Sequence, residues 1–132
     1  MKYLLLVFSF LFLFSTLGYA DAPLEKTLGL NTEQAKQVQQ IQKKYRREFS
    51  AKRQELHRER RKLRRARLAH ESSEIAQQEE VTAKLREELK QIRSNENEEI
   101  RGVLTPEQQE KFEEVLQQRK KAVGSSRDEK DL

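Results

Sequence analysis

From Asn31 to Arg101 the chain contains neither glycine nor proline. These are the residues that most readily end a helix, one through backbone freedom and the other through its missing N–H. The stretch is rich in Glu, Gln, Lys, Arg, Ala and Leu, which all tolerate a helix well. No segment alternates β-branched with polar residues, so no strand is predicted. The fold class that follows is all-α, built on long helices.

Two short words mark where helices begin: Leu30-Asn31-Thr32-Glu33-Gln34 and Leu104-Thr105-Pro106-Glu107-Gln108. In the second, Thr105 caps free backbone N–H groups and Pro106 suits the first helical position, where its missing N–H costs nothing. Gln108 stands three residues after the cap and can reach back to the cap's own N–H, completing a capping box. Leu104 precedes the cap as a hydrophobic staple. The first word repeats the arrangement, with Asn31 as cap, Thr32 opening the helix, Gln34 reaching back and Leu30 as staple. Each cap contributes about 1 kcal/mol. Spacing alone does not say whether the two words touch.

The first long helix carries an apolar stripe of Ala35, Val38, Ile41, Tyr45, Phe49, Leu56 and Leu63. It runs to Ala69 or breaks near Ser50. A turn is predicted at Glu71-Ser72-Ser73, with either serine as cap. The next helix runs from about Glu74 to Val103, with Ile75, Val81, Leu85, Leu89, Ile92, Ile100 and Val103 on one face. A last helix starts at Pro106, turns Phe112, Val115 and Leu116 inward and stops at Gly124.

The ends read differently. Lys2 followed by the apolar run Leu4 to Phe14 and the small residues Gly18 and Ala20 reads as a secretory signal peptide over residues 1–20, cleaved after Ala20. The run is shorter than the ~20 apolar residues of a membrane span, so no stable anchor is expected after cleavage. Residues 21–30 form an N-terminal extension, 31–123 the helical domain and 124–132 a disordered tail. There is no cysteine, hence no disulfide to support an exported domain. Apart from alanine, only 23 apolar residues follow Ala20. That is thin for a closed core, and narrow stripes on long helices favour association of copies, so a homodimer is expected.

Charge is divided between the two long arms. From Lys43 to Arg67 there are 13 basic and 3 acidic residues, net +10; from Glu71 to Ile100 there are 4 basic and 9 acidic, net −5. Folding back at the turn would set the arms antiparallel and match part of the positive charge. The candidate binding surface is the basic arm: Arg53, Arg58, Arg60, Arg61, Arg64, Arg65 and Arg67, with Leu56 and Leu63 as sparse apolar residues beside them. Such a surface attracts acidic partners at long range, and arginine stems add apolar contact. In a cytoplasmic protein it would suggest nucleic acid; export argues against that as the partner in the cell.

No site of chemistry stands out. There is no Ser-His-Asp set and no glycine-rich phosphate loop, and the glutamates lie on solvated helix faces, so no enzyme and no cofactor are expected. His57 stands among arginines, a poor place for a cation. His70 with Glu74 would make at most a weak two-ligand site, so no metal is expected.

Both capping words resemble the Leu-Thr-x-x-Gln motif of the Spy/CpxP family of periplasmic stress proteins. Leu104-Thr105-Pro106-Glu107-Gln108 matches it in full; Leu30-Asn31-Thr32-Glu33-Gln34 has Asn in place of Thr. The chain also lacks the methionines of chaperone members and the proline pair of some members. The resemblance implies a long bent helical hairpin with short terminal helical segments, assembled as a cradle-shaped antiparallel homodimer in a Gram-negative-type periplasm. It implies an ATP-independent chaperone for unfolded or partly folded envelope proteins. Alternatives are a regulator docking on the periplasmic domain of an envelope-stress sensor kinase, and a metal-responsive sensor.

Overall fold

A computed structural model describes residues 23–128. They form four helices: α1 (Leu24–Leu28), α2 (Thr32–Leu68), α3 (Ser72–Arg101) and α4 (Pro106–Asp128). No strand occurs among the described residues. The expected signal peptide, residues 1–20, and the last four residues of the expected tail lie outside them.

Helix α2 starts as its cap dictates. Asn31 is extended, its side chain accepts the Gln34 N–H at 2.8 Å, and Gln34 Oε1 accepts the Asn31 N–H at 3.2 Å. The helix continues through Ser50 to Leu68 without interruption. No Gly or Pro stands near Ser50, and a single serine's weak competition for backbone hydrogen bonds does not interrupt a helix of this length.

Helices α2 and α3 pair as an antiparallel hairpin. Lys44 meets Glu99, Lys52 meets Glu88 and Arg67 meets Glu79, so residue numbers rise on one arm as they fall on the other. The seam buries Val38, Tyr45, Leu56, Leu63 and Ala66 from α2 against Thr82, Leu85, Ile92 and Ile100 from α3. The seven-residue steps Val38–Tyr45, Leu56–Leu63 and Leu85–Ile92 are those of a coiled-coil seam. The main core lies at the open end of this hairpin. There Leu24, Leu28, Val38, Ile100, Leu104 and Phe112 are buried together, with Leu30, Ile41, Val103, Val115 and Leu116 packed against them. The opposite end, at the turn, is held by the seam alone.

Three features differ from the expectations. First, the extension over residues 21–30 contains α1, a helix too short for its periodicity to be legible. Five residues do not sustain a helix alone. This one is held by burial of Leu24 and Leu28, and Gly29 closes it at φ 63 with a Schellman pair: Gly29 N–H to Lys26 O and Leu30 N–H to Glu25 O.

Second, neither serine caps α3. The turn sits at Ala69-His70, earlier than Glu71-Ser72-Ser73. His70, at φ 57, occupies the left-handed position usually given to glycine. Its N–H bonds Arg67 O at 3.3 Å and the Glu71 N–H bonds Ala66 O at 3.1 Å, the same Schellman pattern. Glu71 O already accepts from Ile75, so α3 begins at once and Ser72 is one position too late to cap it.

Third, α4 does not stop at Gly124 but continues to Asp128. One glycine costs a helix only about 1 kcal/mol, and here no left-handed closure follows it among the described residues.

Candidate functional site

The two capping words meet. Thr105 and Gln108 form the second box, with the Thr105 N–H on Gln108 Oε1 at 3.0 Å and the Gln108 N–H on Thr105 Oγ1 at 3.3 Å. Gln34 Nε2 donates to Gln108 Oε1 at 2.8 Å and to Val103 O at 3.1 Å. Gln108 Nε2 donates in return to Gln34 Oε1 at 3.2 Å and to Gly29 O at 3.3 Å. Gly29 and Val103 each lie two residues before their cap, so the arrangement is reciprocal about a local two-fold. Each amide oxygen accepts twice and each amide nitrogen donates twice, which uses the whole hydrogen-bonding capacity of both side chains. The pair ties the starts of α2 and α4 together above the core. Leu30 and Leu104, the two staples, pack into that core beneath it, Leu104 buried and Leu30 half-buried. Asn31, Thr32, Thr105 and Pro106 remain exposed. Gln109, whose role no local sequence pattern announces, donates to Arg101 O and Leu104 O and seals the carbonyl end of α3.

From this closed end the hairpin carries the basic arm outward. Arg53, Arg58, Arg60, Arg61, Arg64, Arg65 and Arg67 are all exposed. Arg67 pairs across the hairpin with Glu79 at 2.7 Å, and Lys62 pairs within α2 with Glu59 at 2.8 Å. Among the described residues the other six arginines form no ion pair. The acidic arm thus matches the basic arm at three places only, at Lys44, Lys52 and Arg67. The cause is geometric: α3 covers one side of α2, while arginines occupy the sides it does not reach. Leu56 and Leu63 are not on this surface. Each is 7% exposed and faces α3 in the seam, where it holds the hairpin together.

Towards the core, the arms are joined by a polar node. Tyr45 is buried, and its hydroxyl donates to Glu99 Oε1 at 2.7 Å. Lys44 Nζ donates to the same oxygen at 2.7 Å and lies 4.8 Å from the centre of the Tyr45 ring. These two hydrogen bonds hold the Glu99 carboxyl below its ordinary value, Lys44 contributing most, and raise Lys44 and Tyr45 in turn. The short contact with Lys52 likewise lowers Glu88. That contact is 2.7 Å long but poorly angled for a hydrogen bond, so it is an ion pair by proximity. Glu96 behaves oppositely: burial raises it, against the charges of Arg93, Arg119 and Arg46. Arg93 stacks 4.3 Å from the centre of the Phe49 ring.

His57 is exposed on the basic arm, and His70 is exposed in the turn. Among the described residues no three His, Asp or Glu side chains gather as metal ligands, and no helix is long and apolar enough to cross a membrane.

A family model described as Domain of unknown function (DUF4890) matches residues 22–112, a span that takes in α1, the whole hairpin and both capping words. No curated protein and no solved structure matches the chain.

Proposed function

The chain belongs to the DUF4890 family, and we propose that it is an ATP-independent chaperone of the bacterial periplasm that holds unfolded or partly folded envelope proteins on its basic arm. The observation that carries this reading is the set of six exposed arginines on α2 without carboxylate partners among the described residues. Their field draws acidic chains from a distance, and their stems supply apolar contact to many sequences. No nucleotide pocket is needed for such holding. The resemblance of both capping words to the Spy/CpxP motif supports the same reading. With it comes the proposal that two copies pair antiparallel as a cradle and present their basic arms as its client surface. The seam and core leave few apolar side chains for that contact, so arginine dominates the client surface.

The test is aggregation of an unfolding acidic protein followed by light scattering without ATP. Substoichiometric protein delays the aggregation at low salt, and the delay shortens as salt is added. No delay at several-fold excess and low salt would exclude the reading.

A second reading is favoured by the burial of Leu56 and Leu63, which leaves the arm almost purely cationic. Such an arm also suits a folded, acidic sensor-kinase domain. Reversing Arg60, Arg61, Arg64 and Arg65 to Glu would then release signalling in cells while leaving aggregation of unfolded clients to be scored separately.

A further inference from the structure

We propose that the outer face of the distal half of α2, formed by Arg58, Arg61, Arg64, Arg65 and Leu68, docks on an anionic phospholipid surface. Leu56, Leu63 and Ala66 turn toward α3 and are buried. At about 100° per residue, Arg61, Arg64, Arg65 and Leu68 fall on the far side of the helix, with Arg58 beside them. All five are exposed, and the four arginines make no ion pair among the described residues.

Three observations favour a lipid surface over an acidic protein. The outer side of a single helix is convex; of the two main surface depressions, one lies between α1 and α2 and the other in the cleft between the arms at the turn, which only Arg65 of the five residues borders. A convex face meets a plane of headgroups more readily than a folded partner, which needs a matching hollow. The cations are arginines, whose planar fork binds phosphate oxygens in pairs where lysine offers a point charge. Lastly, Leu68 is 76% exposed on the same face. It follows Arg61 by seven residues and Arg64 by four, so it points with them. An apolar side chain in water gains by entering the headgroup boundary, while the arginine stems let their charged ends stay at the phosphates. With one apolar residue against four cations, binding is reversible adsorption rather than insertion.

This inference goes beyond client holding and does not depend on it, because its assay contains no client. The chain from Asp21 onward, which holds every residue of the described core, is floated with vesicles of phosphatidylcholine alone and of phosphatidylcholine with phosphatidylglycerol. At low salt it floats with the anionic vesicles and not with the neutral ones. Replacing Arg58, Arg61, Arg64 and Arg65 together by Gln weakens partition roughly a thousandfold, and Leu68→Ser weakens it about tenfold. Circular dichroism establishes that the variants remain helical. Three results overturn the proposal: no flotation with anionic vesicles, equal flotation with neutral ones, or full binding by the quadruple variant. Binding of a soluble acidic protein without flotation also overturns it and leaves the chaperone reading intact. Flotation without suppression of aggregation does the reverse.

Discussion

Replacing Gln34 by Glu tests the reciprocal amide pair with the smallest change in shape. The carboxylate keeps the acceptor that caps the Asn31 N–H, so α2 retains its box. It loses both donors, one to Gln108 Oε1 at 2.8 Å and one to Val103 O at 3.1 Å. Two oxygens then face a carboxylate in a half-buried site. Each lost bond costs about 1 kcal/mol, and leaving acceptors opposed adds about as much again. A destabilisation of about 2–4 kcal/mol follows, seen as a fall in Tm of roughly 10–20 °C for a domain of this size. The loss depends on pH with a definite sign. Repulsion raises the introduced carboxyl's folded pKa above its unfolded value, so the penalty is full above the folded pKa. It fades as the pH falls towards about 4, the ordinary value of glutamate. Urea melts of the wild type and of Gln34→Glu at neutral and acid pH measure this. A Gln34→Ala and Gln108→Ala cycle adds a coupling of about 1–2 kcal/mol, because two bonds are shared. A Gln34→Glu variant within about 0.5 kcal/mol of wild type at neutral pH, or a coupling of zero, would refute the reasoning.

Other changes have equally definite outcomes. His70→Gly should raise stability by about 1 kcal/mol in thermal melts, since His70 holds a left-handed φ of 57 that glycine adopts freely. Leu56→Ala and Leu63→Ala should each cost about 2–4 kcal/mol in urea melts, because both side chains lie in the seam and not on a binding face. Acid should loosen the hairpin. Glu88 and Glu99 sit below their ordinary values in the folded state, so their contribution is present above the ordinary carboxylate value and disappears as the pH falls through their depressed ones. Glu96, raised by burial, works in the opposite sense. Relative to the intrinsic exchange rate at each pH, amide protection on α3 should therefore fall beside Glu88 and Glu99 on going from neutral to acid pH, and not beside Glu96.

The residues explain which parts of this architecture a reader of the sequence can see. Both capping boxes are local, decided by four consecutive residues, and Asn31–Gln34 and Thr105–Gln108 form as their chemistry requires. The stripes are legible for the same reason: Val38, Tyr45, Leu56, Leu63, Leu85, Ile92 and Phe112 recur at helical spacing and are buried. What depends on the register of the hairpin is not local. Gln34 and Gln108 are 74 residues apart, and nothing near either glutamine encodes their mutual bonds. The turn at His70 escaped because a Schellman closure is read from glycine, and here histidine takes that place. Helix α1 escaped because Leu24 and Leu28 are only a single i, i+4 pair. The arginine arm was visible as charge, but its freedom from partners follows from which side of α2 faces α3, and so did the removal of Leu56 and Leu63 from the surface.

The most direct test of the account is binding of a fluorescently labelled, unfolded acidic protein across a salt series. It compares the wild-type chain with one in which Arg58, Arg60, Arg61, Arg64 and Arg65 are Gln. The wild type should bind at low salt and weaken steeply as salt rises, while the variant, equally helical, should bind at least a hundredfold more weakly with a nearly flat salt response. Equal affinities, or a salt dependence unchanged by the five substitutions, would contradict a function seated on the arginine arm.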